Sequence, residues 1–206
     1  MVSQIALPLE QIPSPEHDGY LVTAANAEVH RLLQDWREWS HHTMILIGPE
    51  ASGKTTMAAA FETESCGLYL DEASGTEDTE IFHLWNRANS EQKPLLLLSE
   101  KPVSEWGILL PDLKSRLAAS LLVQIGPPDQ AMIDGLFQKY FTSRGLTISE
   151  DALRYLEKRM IRSYAMVRRL AQKMDALAIE SRKPINLAIA KSALGFFDDG
   201  DEKVDS

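Results

Sequence analysis

The stretch Met44-Ile45-Leu46-Ile47-Gly48-Pro49-Glu50-Ala51-Ser52-Gly53-Lys54-Thr55 decides how the rest of the chain is read. Four consecutive apolar residues predict a buried strand, and the residues from Lys54 to about Glu64 predict a helix. Between them lies a loop that opens and closes on glycine and matches G-x-x-x-x-G-K-[ST] at every fixed position. Gly48 and Gly53 let the backbone curl so that successive N–H groups converge, while the helix N-terminus adds partial positive charge. That is a cradle for phosphate. Gly48, Ser52, Gly53, Lys54, Thr55 and Thr56 are therefore candidate phosphate contacts, with Lys54 reaching the β- and γ-phosphates and the Thr55 hydroxyl turned to Mg²⁺. An adenine nucleotide, ADP or ATP, with Mg²⁺ is the expected ligand.

A hydrolysing site needs a carboxylate at the end of a neighbouring strand to hold Mg²⁺, and often a second to orient the attacking water. Gly67-Leu68-Tyr69-Leu70-Asp71-Glu72 reads as a strand ending in two acids, so Asp71 is the candidate metal ligand and Glu72 its catalytic companion. The other reading of this pair is two polar residues where a strand leaves its sheet. Sixteen positions separate Thr55 from Asp71. That allows one helix and one turn, where many P-loop folds insert a further strand and helix.

Further apolar strands are predicted at Leu95 to Ser99 and Ser120 to Ile125, with helices over Asn26 to Trp39, capped by Asn26, and over Glu77 to Asn89. Strands alternating with helices imply a parallel sheet covered on both faces, here of four strands, or five. After Gly126-Pro127-Pro128 the pattern becomes helical. Ile133, Leu136, Phe137, Tyr140 and Phe141, then Leu153, Leu156 and Met160, then Val167, Leu170, Met174, Leu177 and Ala178 each mark one helix face, with a weaker pattern over 187–194. The fold class is thus an α/β core over 20–126 followed by a helical domain over 127–196. Residues 1–19, with Pro8, Pro13 and Pro15, read as an extended arm, and 197–206 as an acidic disordered tail.

The chain has 206 residues, 44% hydrophobic and 25% charged, the balance of a globular protein. Its formal charge of −9 argues against strong direct nucleic-acid binding. Apolar runs such as Leu95 to Leu98 are far shorter than the ~20 residues of a membrane span, and no export signal is visible. The single Cys66 excludes an internal disulfide and fits a reducing cytoplasm. Two arginines stand out. Arg116, before the last strand, is placed to reach a neighbouring subunit's γ-phosphate, and Arg168, in the helical domain, to swing over bound phosphates. A solvated surface charge is the alternative for each.

Taken together, several segments resemble the DnaA-related branch of the AAA+ ATPases, and within it the short DnaA-like replication regulators of the Hda group. They are Asp18 to Asn26, the P-loop, Phe82-His83-Leu84-Trp85-Asn86, Leu110 to Leu117, Val167-Arg168-Arg169-Leu170 and Gln4-Ile5-Ala6-Leu7-Pro8-Leu9. The resemblance implies an AAA+ core with a helical lid, an adenine pocket at Tyr20, Leu21 and Val22, Arg116 as an arginine acting in trans, and Arg168 as a nucleotide-sensing lid arginine. It implies that Gln4, Leu7 and Leu9, stiffened by Pro8, enter the hydrophobic pocket of the DNA polymerase sliding clamp. The role implied is to stimulate ATP hydrolysis by DnaA on clamp-loaded DNA, with weak or absent hydrolysis of its own; whether nucleotide also sets self-association of the chain is left open by the sequence. The segment between the P-loop helix and the acidic strand is shorter than is usual in the family. The chain ends without a basic helix-turn-helix, so it is not expected to be an initiator itself. Two other readings stand beside this one: a self-sufficient ATPase acting as a loader or remodelling factor, and a paralogue whose P-loop is a relic.

Overall fold

Residues 19–201 are described by the structure, a computed structural model, with side chains as far as residue 197. The proposed clamp-binding residues Gln4, Leu7, Pro8 and Leu9 lie outside the described residues, as does the end of the acidic tail. Four strands form one sheet: β1 (Thr43–Ile47), β2 (Leu68–Leu70), β3 (Leu95–Ser99) and β4 (Leu121–Gln124). All neighbours are parallel and the order is β2-β3-β1-β4. The central strands β1 and β3 are buried along their whole length, which is why they read as unbroken apolar runs.

Alternation assigns the two faces. Met44, Leu46, Leu96 and Leu98 pack with Val29 and Leu33 of α1 (Ala27–Gln34) and with Met57 and Phe61 of α2 (Lys54–Ser65). Ile45, Ile47, Leu95 and Leu97 pack with Ile81 and Ala88 of α3 (Asp78–Ser90) and with Leu113 and Leu117 of α4 (Pro111–Ala119). The brief link from Thr55 to Asp71 has a visible consequence: α2 returns straight to β2, which lies at the sheet edge with Leu68, Tyr69 and Leu70 only half-buried. The sheet therefore has the smaller of the two expected strand counts.

The first helix is shorter than its periodicity predicts. It stops at Gln34, and two 3-10 turns carry the chain to His42. The cause is Trp39, which must be buried: it stacks on Phe61 with ring centroids 5.0 Å apart and donates its indole N–H to the Leu32 carbonyl. To turn from that anchor into β1 the chain passes through left-handed backbone at His41 and His42. Asn26 precedes the helix, but its side chain serves the loop before it, accepting from Thr23 N–H and donating to the Leu21 carbonyl.

The C-terminal helices are α5 (Gln130–Thr142), α6 (Glu150–Glu157), α7 (Tyr164–Ser181) and α8 (Leu187–Asp201). Asp129, Ser149 and Ser163 cap the first three by accepting a backbone N–H of the first turn. Their apolar faces meet in a core of their own around Phe137, Phe141, Leu156, Leu170 and Met174. The last helix runs on to Asp201, so the stretch read as a tail from 197 begins as helix. No helix among the described residues is long and apolar enough to cross a membrane.

Candidate nucleotide-binding site

Because every strand runs the same way, the C-terminal ends of β1, β2 and β3 open on one edge, where the order of the strands switches direction. The loop after β1 sits there. Its last residue before α2, Gly53, has φ +88°, and Ala51 has φ 62°, so the loop curls through left-handed backbone at two places. Gly48 has no room for a side chain: a Cβ there would lie 2.9 Å from Ser52 Oγ and 3.1 Å from Ile125. The Ser52 hydroxyl it leaves space for is buried without a hydrogen-bond partner among the described residues.

A cavity of about 620 Å³ opens over this loop, bordered by residues 50–56, by Asp71 and Glu72 after β2, by Ser99, Glu100 and Lys101 after β3, and by Arg168 from α7. Lys54 is 8% exposed. Its ammonium donates to the Gly48 and Pro49 carbonyls at 2.7 and 3.0 Å and lies 3.7 Å from Glu100. The Thr55 hydroxyl donates to Asp71 Oδ2 at 2.6 Å. Glu72 follows in left-handed conformation, with φ 52°, and turns the chain around the cavity rim. Arg168 reaches across from the helical domain to Glu50 of the loop, at 2.5 Å.

A second cavity, of about 210 Å³, lies behind the first and shares Ala51, Ser52, Gly53 and Thr56 with it. Tyr20 and Leu21 line it together with Met57, Met132, Leu136 and Tyr164. Its lining is mostly apolar and includes residues of the loop, the surroundings expected for a base placed beside its phosphates. Val22, expected with Tyr20 and Leu21, does not line it. Val22 is partly buried and packs against the same apolar cluster that holds Tyr20 and Leu21, without bordering the cavity.

The two domains meet closely around this cavity. Asp129 accepts from Ala25 N–H, the Tyr164 hydroxyl donates to the Gly126 carbonyl at 3.2 Å, and Lys139 donates to the Gly19 carbonyl. Gly135 of α5 sits against Leu21, where an added Cβ would fall 2.8 Å from Leu21 Cδ1. Burial pushes the Tyr164 phenol up to about 12, and the Asp129 carboxylate adds to the effect.

Arg116 is elsewhere and borders neither cavity. Its guanidinium is held by both Asp112 oxygens at 3.1 and 2.6 Å, donates to Asn86 at 2.9 Å, and lies 4.0 Å over the Trp85 ring. It thus ties α4 to α3 rather than standing free. Of the residues singled out in the sequence, the structure brings together the loop, Asp71, Glu72, Arg168, Tyr20 and Leu21. It adds Glu50, Ser99, Glu100, Lys101 and Lys139. Ser99 and Glu100 carried a usable signal: a strand parallel to β1 and next to it must end beside the loop. Glu50 and Lys139 carried none, since one is a variable position of the motif and the other a charge on an amphipathic helix.

The donor set fits a magnesium nucleotide. Lys54, Lys101 and Arg168 offer cations to phosphate, while Thr55 and Asp71 offer two oxygens to Mg²⁺. No group of three or more His, Cys, Asp or Glu among the described residues forms a metal cage. A cation here would draw its remaining ligands from phosphate and water, as Mg²⁺ does.

No protein-family model matches the chain. Over 115 residues, 56% of this chain, it is 30% identical to the chromosomal replication initiator protein DnaA of Lactobacillus delbrueckii subsp. bulgaricus, and this covers 25% of that protein. The chain thus spans about a quarter of the length of the curated relatives it matches. Domain III of the Thermotoga maritima replication initiation protein DnaA superposes with a TM-score of 0.72 at 15% identity, covering 86% of this chain and 94% of that one. The AMPPCP-bound DnaA of Aquifex aeolicus does so with a TM-score of 0.62 at 15% identity, covering 79% of this chain and 65% of that one. The sheet, the loop and the helices that follow agree with the sequence similarity: the chain has an α/β AAA+ core with a four-stranded parallel sheet, followed by C-terminal helices, with the fold of DnaA domain III and a sequence similar to that of the DnaA initiators.

Proposed function

We propose that the chain is an Hda-like regulator of replication initiation, which binds ADP or ATP with Mg²⁺, holds the sliding clamp through Gln4 to Leu9, and stimulates ATP hydrolysis by DnaA. The observation that carries the nucleotide part is the convergence of Lys54, the Thr55–Asp71 pair and Arg168 on one cavity. In this reading the loop N–H groups and Lys54 bind the phosphates, Tyr20 and Leu21 hold the base, and Arg168 senses the phosphate end. Mg²⁺, when bound by Thr55 and Asp71, neutralises charge on the phosphate oxygens. The clamp part rests on the sequence of the arm, a Pro-stiffened apolar peptide that loses little entropy on docking.

The test is capture on the sliding clamp with ADP and with ATP, followed by a DnaA ATPase assay on the complex. Removal of residues 1–9 should abolish capture and, with it, stimulation. Undiminished capture overturns the clamp role, and undiminished DnaA turnover time in the presence of the intact chain overturns the regulatory one.

A second reading, a self-sufficient ATPase, is favoured by the placing of Asp71 and Glu72 together on the cavity rim. It requires turnover by the purified chain that Glu72→Gln removes. Arg116 enters only the first reading, as a group offered in trans, and there its present partners Asp112 and Asn86 must give way.

A further inference from the structure

Glu50 occupies a variable position of the phosphate loop, yet its carboxylate is the group that Arg168 contacts across the cavity. Two features make this contact unlike the other joints between the domains. The others, Tyr164 to Gly126, Asp129 to Ala25, Lys139 to Gly19 and Gly135 against Leu21, involve no residue that borders the larger cavity. The Glu50–Arg168 pair spans the phosphate side and is open to solvent, with 59% and 51% of the two side chains exposed. A solvent-accessible pair is easily exchanged, because screening makes it weak. The contact is a single charge-assisted bond from Arg168 Nη2 to Glu50 Oε1, and a phosphate oxygen can take that place on the guanidinium.

We infer that Glu50 is a built-in stand-in for phosphate: it holds Arg168, and with it the lid, over the phosphate loop, and a nucleotide phosphate takes Arg168 from it on binding. This rests on the nucleotide-binding reading of the same site and adds a residue that tunes it. When phosphate arrives, Arg168 changes partner and the Glu50 carboxylate is left beside the phosphates without its counter-charge. Both parts of that exchange oppose binding. The loop therefore carries its own competitor, and affinity is set by the difference between two anions for one arginine.

The experiment compares the full chain with Glu50→Gln and Arg168→Ala, reading ADP and ATP affinity by calorimetry and hydrogen exchange over residues 164–168 without nucleotide. Exchange of anions predicts opposite signs: Glu50→Gln tightens binding by about two- to fivefold and Arg168→Ala weakens it. Without nucleotide, both variants should exchange faster than the unaltered chain at the start of α7. An ion pair that merely braces the two domains would move both affinities in the same direction, and that result overturns the inference. So does unchanged exchange in Glu50→Gln. If the unaltered chain binds neither nucleotide, the underlying reading of the site falls with it, and this outcome is distinct from binding that is intact but insensitive to Glu50.

Discussion

Thr55 and Asp71 lie 16 positions apart in the sequence and meet at 2.6 Å, hydroxyl to carboxylate, at the border of the cleft. One comes from the first turn of α2 and the other from the turn that ends β2, and they meet because the parallel strands β1 and β2 end on the same edge of the sheet. A shortened core has thus kept the geometry needed for a cation. Asp71→Asn keeps the size and one acceptor oxygen but removes the charge. It should leave nucleotide binding in EDTA unchanged and reduce the strengthening caused by Mg²⁺ by about tenfold or more, measured by calorimetry with and without the metal. Equal Mg²⁺ dependence in both proteins would remove Asp71 from the site.

Arg116→Ala should cost stability even in the isolated chain. The side chain is 24% exposed, donates to Asn86, pairs with Asp112 and stacks on Trp85. Loss of a charge-assisted hydrogen bond and a cation–π contact amounts to about 1–2 kcal/mol. Urea denaturation of Arg116→Ala and Asn86→Ala checks this, and coupling in the double variant identifies the contact. A variant with unchanged midpoint would mean that the arginine is free in solution. Lost stimulation of DnaA by Arg116→Ala then has to be read beside its stability, so Arg116→Lys, which keeps the charge, is the better probe of a role in trans.

The chain showed its core plainly. The apolar runs at Met44 to Ile47 and Leu95 to Ser99, buried on both faces, left no other assignment than central parallel strands, and β3 has the expected bounds. The phosphate loop was equally legible, since its function needs fixed residue types at fixed spacing. What could not be read were contacts set by tertiary packing. Trp39 ends α1 early because Phe61, far along the chain, provides its stacking partner. Arg116 is pinned by residues of α3 that periodicity placed on a helix but not against it. Glu50 and Arg168 are joined by a fold in which two domains close on one loop, and no local pattern announces that.

Gly135 controls how closely the helical domain sits on the base side of the cleft. Alanine there gains helix propensity, about 1 kcal/mol, and presses on the tip of Leu21, a flexible end that can rotate away. Stability should therefore change by less than about 1 kcal/mol. Leu21, however, lines the smaller cavity, and its displacement should weaken adenine-nucleotide binding by about fivefold, the loss of part of one buried side chain. Thermal denaturation and calorimetry on Gly135→Ala separate the two effects. Strong destabilisation with unaltered affinity would place Leu21 outside the binding surface.

Tyr164 makes the joint between the domains sensitive to alkali. Burial, with Asp129 nearby, holds its phenol at about 12, above the ordinary value of 10.0, so the folded state keeps the proton that the unfolded chain releases earlier. The neutral form binds the Gly126 carbonyl. The contribution is complete below pH 10 and is lost as pH rises toward 12, because over that interval the unfolded state binds fewer protons and gains free energy by ionising. Tyr164→Phe removes the hydrogen bond and the titration together. At pH 8 it should be less stable than the unaltered chain by about 1 kcal/mol. Between pH 10 and 12 that gap should close and then reverse, since phenylalanine has no proton to lose. Urea midpoints measured across this range decide it: a gap that stays constant with pH would show that the Tyr164 hydroxyl titrates alike in the folded and unfolded chain, and that the joint at Gly126 is open to water.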